Sequence, residues 1–330
     1  MAHRSAEEWQ PARLTAIRDL TPDIRMFEIA PESGFVQPQP GSHIDLALRI
    51  GERADVRSYS VVGPCRDGVY RIAVKRLPTS RGGSAYMWTL PVGARLTIAP
   101  PANLFPLTRG RPEYLLVAGG IGITPIYGIA LALAGAGAPF RMLYGCRSRD
   151  QLALGEELRA RIGDRLEPYI SAEGKRVDFG REVARLAPGG EVYVCGPIGM
   201  MEAAKHAWAA SGRPPELLRF ETFGSSGRYA SVPFVVRIPR LDREIRVPAE
   251  ASMLDALEAA GVGVIADCRR GECGLCALPI LGVEGVVDHR DVFFSDGEKA
   301  ENAKLCTCVS RVWRAGEGAA ITIDTADREM

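Results

Sequence analysis

Three cysteines near the end of the chain stand at a spacing that could hold an iron–sulfur cluster. Cys268, Cys273 and Cys276 follow the pattern C-x4-C-x2-C, and two glycines, Gly271 and Gly274, lie between them. A cluster with bridging sulfides needs thiolates from a loop that wraps closely around it. Glycines let such a loop adopt positive φ and bring its N–H groups towards the sulfurs. The spacing is typical of loops that hold a [2Fe–2S] cluster through four thiolates.

The fourth thiolate has two candidates further along the chain. Cys306 follows Cys276 after 29 intervening residues and Cys308 after 31, and spacing alone slightly favours Cys306. The alternatives to a cluster are a four-cysteine zinc site or a set of disulfides. Zinc sites usually pair their cysteines in two C-x2–4-C units, and the second unit here, C-T-C, is too short.

Length and charge limit what the rest of the chain can be. At 330 residues the chain can form two or three domains, each with its own core. A net charge of +1 gives no basis for binding nucleic acid or a membrane surface. The sequence shows no signal-peptide core and no apolar run of about 18 residues. We therefore expect a cytoplasmic protein, with Cys65, Cys146 and Cys195 as free thiols.

The first hundred residues alternate between apolar and polar positions in short segments separated by turn residues. This pattern predicts a closed antiparallel β-barrel with one inserted helix at about residues 82–89. The six predicted strands are residues 13–19, 24–30, 44–49, 57–62, 70–75 and 95–99.

Two motifs in this region could bind a phosphorylated planar ligand. In the first, Arg57 and Tyr59 point to one face of a strand and Ser58 and Ser60 to the other. Taken alone, this motif favours an exposed strand with a cross-strand aromatic contact. The second motif, which opens the inserted helix, offers free N–H groups, bare glycines and a hydroxyl for an anion. It consists of Arg81, Gly82, Gly83 and Ser84, with Lys75 just upstream.

The second motif also has a simpler interpretation, a glycine-rich turn in which Ser84 is the N-cap. Each motif is weak alone. Their presence in one barrel favours a single ligand that carries a phosphate.

From residue 114 the pattern changes to alternating strands and helices, which predicts a parallel sheet covered by helices on both faces. The predicted strands are residues 114–118, 140–144, 166–170, 192–195 and 217–220, and the predicted helices are residues 124–133, 152–162, 181–186 and 198–210.

Glycine-rich turns follow two of these strands, where ligands of such sheets bind. They suit a pyrophosphate, with Thr124 capping the next helix and Pro125 in its first turn. The spacing is not G-x-G-x-x-G, however, and a tight strand–helix turn is equally consistent. The residues concerned are Gly119, Gly120, Gly122, Thr124, Pro125, Cys195, Gly196 and Pro197.

After a Gly/Ser-rich linker, the last 95 or so residues predict a small β-grasp-like fold around the cysteine loop. The predicted elements are a hairpin of residues 232–238 and 244–247, a helix at 253–259 capped by Ser252, and strands at 278–281 and 320–324.

Taken in order, these motifs resemble the phthalate dioxygenase reductase family, and the resemblance covers essentially the whole chain. The motifs are R-S-Y-S at 57–60, R-G-G-S at 81–84, G-G-I-G-I-T-P at 119–125, C-G-P at 195–197, E-T-F-G at 221–224 and the C-terminal cysteine loop. Within the family, the branch that serves vanillate O-demethylases is the most similar.

The resemblance implies a multidomain α+β protein. A Greek-key, flavin-binding β-barrel would span residues 1–107 and an α/β nicotinamide-binding domain 108–224. A linker at 225–231 would lead to a plant-type ferredoxin domain at 232–330.

The resemblance also implies the ligands of each part. FMN would lie along Arg57, Tyr59 and Ser60, with its phosphate at residues 81–84. NADH would bind the two glycine-rich turns, with Arg147 near the adenine ribose. At the reacting end of the flavin the implied residues are Ser60, Glu221 and Phe223, of which Phe223 would shield the flavin until nicotinamide displaces it. Arg147 and Arg149 leave NADPH open as the donor.

The implied function is that of a reductase. NADH would deliver a hydride to FMN, and single electrons would pass through the cluster to a Rieske-type non-haem iron oxygenase. The protein would act as a monomer in a transient complex. A cytochrome P450 as acceptor, or a redox sensor without turnover, are the alternatives. The four histidines, His3, His43, His206 and His289, form no ligand cluster, and His289 is expected in a surface turn.

In this family the fourth cysteine ligand directly precedes a V/C-S-R sequence, a form that Cys308 has here. We therefore predict that Cys308→Ser loses the visible absorption of the cluster, because one iron is left with a missing thiolate. Cys306→Ser is the matched control and is expected to keep the absorption. Full retention of the cluster in the Cys308 variant contradicts the assignment.

Overall fold

The computed structural model describes residues 9–50, 53–77, 82–223 and 227–325. Arg81 and Gly224, both named in the motifs, lie outside these ranges. The chain divides into two compact units, one reaching Glu221 and the other beginning at Thr222. None of the helices in the described part of the chain is both long and apolar enough to cross a bilayer.

The first unit begins with a six-stranded antiparallel sheet in the order β4-β3-β6-β1-β2-β5. All six predicted strands and the inserted helix are present. The elements are β1 (Gln10–Thr21), β2 (Ile24–Pro31), β3 (His43–Ile50), β4 (Arg53–Ser60), β5 (Tyr70–Lys75), α1 (Gly83–Thr89) and β6 (Arg95–Ile98).

The predicted antiparallel barrel is present as a barrel-like sheet, but its two outer strands do not form a continuous ladder. β4 and β5 are the outer strands of the sheet, and an isolated bridge joins Val61, which follows β4, to Ile72 of β5. The N–H of Val62 adds one hydrogen bond, to the carbonyl of Arg71 at 2.7 Å. The pairing stops there because the next residues are Gly63 and Pro64, and proline has no N–H to donate.

The inner face of this sheet holds the apolar positions that the alternation predicted. Leu14, Phe27, Ile44 and Ile72 are fully buried together. Burial of such a side chain contributes about 1.5–3 kcal/mol. This packing fixes which face of β4 is turned to the core.

A five-stranded parallel sheet completes the first unit, in the order β11-β10-β7-β8-β9. β7 is buried along its whole length, because helices cover both faces of a parallel sheet. The elements are β7 (Tyr114–Gly119), α2 (Ile123–Gly135), β8 (Phe140–Cys146), α3 (Gly155–Ile162), β9 (Leu166–Ile170), α4 (Phe179–Arg185), β10 (Glu191–Cys195), α5 (Ile198–Ala210) and β11 (Leu218–Glu221).

The strand order reverses between β7 and β10, which places their carboxyl ends side by side at the usual ligand position of such sheets. The two glycine-rich turns begin at these ends. The fold therefore brings together the two turn motifs that the sequence separates.

The second unit contains a five-stranded mixed sheet in the order β13-β12-β18-β14-β16, and a separate pair, β15 with β17. Its elements are β12 (Phe234–Ile238), β13 (Arg243–Val247), α6 (Met253–Ala259), β14 (Ala277–Glu284), β15 (Val286–Asp288), α7 (Asp296–Glu301), β16 (Lys304–Cys306), β17 (Arg311–Trp313) and β18 (Ala320–Ile323).

Helix caps explain where the helices of this unit begin. Ser252 caps α6, as the sequence predicted, and the structure adds a reciprocal capping box with Asp255. α7 was not predicted, although Ser295 and Glu298 form the same capping box and the S-x-x-E signal stood in the sequence. The helix is only six residues long and has no apolar stripe to mark it.

Contact between the two glycine-rich turns leads to a stability prediction. A β-carbon on Gly122 would lie 2.1 Å from the carbonyl oxygen of Cys195. We expect Gly122→Ala to lower the free energy of unfolding by about 1–3 kcal/mol, because the two turns must move apart. Urea denaturation measures this. Gly135→Ala is the control, because nothing lies within 4 Å of a β-carbon at this position. We expect it to raise the free energy of unfolding by less than about 1 kcal/mol. Equal stability of the two variants contradicts the close packing.

Candidate functional site

The cysteine loop between α6 and β14 directs backbone N–H groups at one sulfur. The N–H groups of Arg270, Glu272 and Cys273 each donate to Cys268 Sγ at 3.4 Å. Burial raises the pKa of the Cys268 thiol, while the N–H groups of Arg270 and Glu272 act to lower it. Several N–H donors around one sulfur are what a thiolate ligand of a cluster requires.

Close packing behind the loop explains its glycines. Gly271 has φ +74°, and a β-carbon there would lie 2.9 Å from Asp291 Cα. The N–H of Val292 donates to the carbonyl of Gly271 at 2.9 Å. Gly274 has φ +72°, and a β-carbon there would lie 2.3 Å from the ring of Phe293. The loop is thus fixed from behind by residues 291–293.

Two further thiols, Cys306 and Cys308, lie close to Cys276. Cys276, Cys306 and Cys308 are all buried. Hydrogen bonds from Cys306 and then Cys308 lower the pKa of the Cys276 thiol to about 3. The proximity of Cys276 raises the pKa of both partner thiols.

The surroundings of Cys306 and Cys308 differ. The charge of Cys268 acts to raise the pKa of the Cys308 thiol, and the backbone N–H of Gly271 acts to lower it. Cys306 is the last residue of β16 and pairs with Ala277 of β14. The charge of Asp291 acts to raise the pKa of the Cys306 thiol. Both thiols lie near Cys276, so the choice of Cys308 stays a prediction.

The donor set fits a [2Fe–2S] cluster, since each iron takes two thiolates and backbone N–H groups face the sulfurs. Within residues 9–50, 53–77, 82–223 and 227–325, no three His, Cys, Asp or Glu side chains are grouped closely enough for a single metal ion. All eight cysteines lie in the described ranges, and none of them forms a disulfide.

The expectation of a surface turn at His289 is wrong. Asp288, Arg290 and Asp291 are buried, and the His289 side chain is only 8% exposed. Arg290 Nε donates to Asp288 Oδ2 at 2.8 Å, and Asp291 Oδ2 accepts from the N–H of Phe294 at 2.9 Å. The polar run suggested solvent, but Arg290 also binds chain positions about sixty residues away, which no local pattern reveals.

In the first unit, Arg57 joins the two candidate phosphate motifs. Its guanidinium pairs with Asp55, and a β-carbon on Gly83 would lie 2.9 Å from Arg57 Nε. Arg57 therefore lies against the turn at Gly82 and Gly83. Arg57 Nη2 is buried and has no hydrogen-bond partner in the part of the chain that the structure describes. A buried guanidinium N–H group without a hydrogen-bond partner, beside a glycine turn, fits a phosphate-bearing ligand.

The three residues that follow Arg57 make contacts within the fold. Ser58 Oγ donates to the buried Asp45 at 2.6 Å, and burial raises the pKa of Tyr59, which packs on the core. Ser60 is buried opposite His43. Lys75 forms an ion pair with Asp23 at 3.2 Å.

Ser84 is not the N-cap of α1. That position belongs to Gly82, and Ser84 Oγ instead accepts the N–H of Leu77 at 3.2 Å. The hydroxyl proton of Ser84 is then available to a ligand oxygen.

At the carboxyl ends of β7 and β10 the glycines mostly let the two turns touch. A β-carbon on Gly119 would lie 2.6 Å from Pro197 Cδ, and one on Gly196 would lie 3.1 Å from Gly119 Cα. Gly120 differs, because it has φ +53° and a β-carbon there would have no atom within 4 Å. Gly120 is thus the glycine of this turn that leaves room for a ligand.

The expectation that Thr124 caps α2 is wrong. The helix begins at Ile123 with Gly122 at the N-cap, and Thr124 Oγ1 donates to the carbonyl of Ile121 at 3.0 Å. A 3₁₀ turn at residues 120–122 shifts the helix start by one residue. Pro125 lies in the first turn, as predicted.

The remaining predicted residues are divided between the two units. Glu221 ends β11 next to Cys195. Arg149, a candidate for a 2′-phosphate, forms two hydrogen bonds with Glu173 at 2.6 and 3.0 Å. Phe223 belongs to the second unit.

Two family models match the chain. The model described as a 2Fe-2S iron-sulfur cluster binding domain matches residues 236–312, and the model described as an oxidoreductase NAD-binding domain matches residues 116–166. The first range contains the cysteine loop and residues 291–293, which pack behind it. The second contains the turn that follows β7.

Known proteins resemble the chain over nearly its whole length. The heme-dependent oxidative N-demethylase beta subunit of Ectopseudomonas mendocina is 39% identical over 94% of this chain and 97% of its own. The phenoxybenzoate dioxygenase subunit beta of Ectopseudomonas oleovorans is 38% identical over 90% and 93%. Among solved structures, phthalate dioxygenase reductase has a TM-score of 0.75 at 28% identity, covering 97% of this chain and 98% of its own.

The loop geometry predicts the effect of Gly271→Ala on cluster content. We expect the variant to lose most of its iron and sulfide, because a methyl group meets Asp291 and the positive φ becomes strained. Iron and acid-labile sulfide per chain are the measurement. Gly297→Ala in α7, where nothing lies within 4 Å, is the control and keeps its cluster. A fully loaded Gly271 variant contradicts the role given to this glycine.

Proposed function

Since this chain belongs to the phthalate dioxygenase reductase family and is an oxidoreductase with nicotinamide-binding and [2Fe–2S] domains, we propose that it is the reductase component of a two-component oxygenase. It takes electrons from NADH and passes them through the cluster to the oxygenase. The observation that carries this proposal is the cysteine loop, in which backbone N–H groups converge on a sulfur beside further buried thiols.

We propose FMN as the flavin, held by Arg57 and the turn at Gly82 and Gly83. The unsatisfied Arg57 Nη2 supports this, since a monophosphate would complete its hydrogen bonding. When bound, FMN supplies the conversion of a hydride into single electrons. Ser60 and Glu221 are the proposed residues at its reacting end, with Phe223 as a cover.

NADH is the proposed donor, bound where β7 and β10 end. The open position at Gly120 admits a pyrophosphate close to the backbone. Arg147 is proposed to lie near the adenine ribose. The pairing of Arg149 with Glu173 favours NADH over NADPH, because the cation is already neutralised.

We propose a Rieske-type non-haem iron oxygenase that acts on an aromatic compound as the partner, in a transient complex with a monomeric reductase in the cytoplasm. The proposed domains are residues 1–107, 108–224 and 232–330, with the linker at 225–231. A haem-containing acceptor is the second candidate, because the N-demethylase relative is described as heme-dependent.

Anaerobic rapid mixing with NADH tests the proposal. We expect the flavin absorption to bleach first and the cluster absorption to fall afterwards, because the flavin must accept the hydride before it can release single electrons. NADPH is the matched control donor and is expected to react more slowly. Mass spectrometry of the released flavin identifies it as FMN or FAD. A protein whose flavin is not bleached by NADH is a sensor rather than a reductase.

A further inference from the structure

Glu272 makes two contacts that connect the cysteine loop to an earlier part of the chain. Its backbone N–H donates to Cys268 Sγ at 3.4 Å. Its side-chain Oε1 accepts the backbone N–H of Thr222 at 2.8 Å. One residue therefore joins a cluster thiolate to the chain segment that contains Phe223. Both contacts lie within the unit that begins at Thr222.

The contact between Glu272 and Thr222 is well shielded from water. Thr222 is 2% exposed and the Glu272 side chain 18% exposed. Arg270 Nη2 lies 3.5 Å from Glu272 Oε2 and partly balances the carboxylate charge. An N–H group that donates to a partly buried carboxylate makes a strong hydrogen bond, so this contact can hold a backbone position.

The chain is attached again a few residues further on. The N–H of Arg228 donates to Asp288 Oδ1 at 3.0 Å, and Arg290 Nη2 donates to the carbonyl of Tyr229 at 3.0 Å. The ring of Tyr229 stacks on Trp313 with centroids 4.6 Å apart. The second unit thus holds the connecting segment on both sides of residues 224–226, and Glu272 makes the attachment on the Phe223 side.

We propose that Glu272 is a positioning residue for electron transfer, which fixes Thr222, and with it Phe223, against the cysteine loop. The inference rests on the proposed function. One electron leaves the reduced flavin and enters the oxidised cluster, and no bond is made or broken. Without the anchor the segment samples other positions, and the fraction of molecules ready for transfer falls.

Three variants of the full-length holoprotein separate geometry from charge. Glu272→Ala removes the acceptor and the charge. Glu272→Asp keeps the charge but is one methylene too short for the N–H of Thr222. Glu272→Gln keeps the acceptor oxygen without the charge. Glu317→Gln, at an exposed position, is the control.

Hydrogen exchange at the Thr222 amide reports the anchor directly and needs no turnover. We expect exchange to rise on the order of tenfold or more in Glu272→Ala and Glu272→Asp, and to stay near the wild-type rate in Glu272→Gln and Glu317→Gln. Unchanged protection of Thr222 in Glu272→Asp overturns the proposal.

Rapid mixing with NADH reports the consequence for electron transfer. Flavin bleaching is recorded in the same traces, so that a change in hydride transfer at the Phe223 cover is measured separately from cluster reduction. Cluster reduction is expected to slow by up to about tenfold in Glu272→Ala and Glu272→Asp only. Wild-type cluster reduction in Glu272→Asp, or equal slowing in Glu272→Gln, overturns the positioning role. Failure of wild-type flavin to bleach sinks the reductase function instead, and the exchange experiment still decides whether the anchor exists.

Discussion

The cysteine loop can surround a cluster only because its backbone N–H groups point inward, and the rest of the second unit serves that constraint. Three N–H groups converge on Cys268 Sγ, which requires a turn with positive φ at Gly271. Such a turn is stable here because Asp291 and Val292 pack directly behind it. The buried hydrogen bonds of Asp288 and Arg290 in turn hold Asp291 and Val292 in place.

A similar principle orders the first unit, where the position of a site follows from strand order. β7 and β10 are neighbours although about seventy residues separate them, so their turns meet at the switch point of the sheet. Most glycines of these turns are needed for turn-to-turn packing, and Gly120 alone of those in the β7 turn faces open space. In the antiparallel sheet, Arg57 packs against the N-terminus of α1. It thereby links the motifs at residues 57–60 and 81–84, each of which is a weak signal in the sequence.

Local patterns predicted most of the fold. Apolar–polar alternation predicted the strands of the antiparallel sheet, and strand segments alternating with helical ones predicted the parallel sheet. The hairpin of the second unit and the start of α6 at its cap Ser252 were also predicted. Two errors were local, the cap of α2 expected at Thr124 and the missed helix α7, and the others concern long-range contacts. The burial of His289 and its neighbours depends on distant partners, and the short pairing between the two outer strands of the antiparallel sheet depends on where their hydrogen bonds stop. The anchor at Glu272 could not be predicted, because a glutamate within a cysteine loop carries no signal for a partner fifty residues earlier.

The central claim is that NADH electrons reach a two-iron cluster in this chain through its flavin. An anaerobic titration with NADH, followed by electron paramagnetic resonance, tests it most directly. The account predicts the signal of a reduced [2Fe–2S] cluster at one spin per chain once the flavin is reduced, because such a cluster accepts a single electron. A protein that takes up NADH electrons in its flavin but never shows this signal contradicts the account.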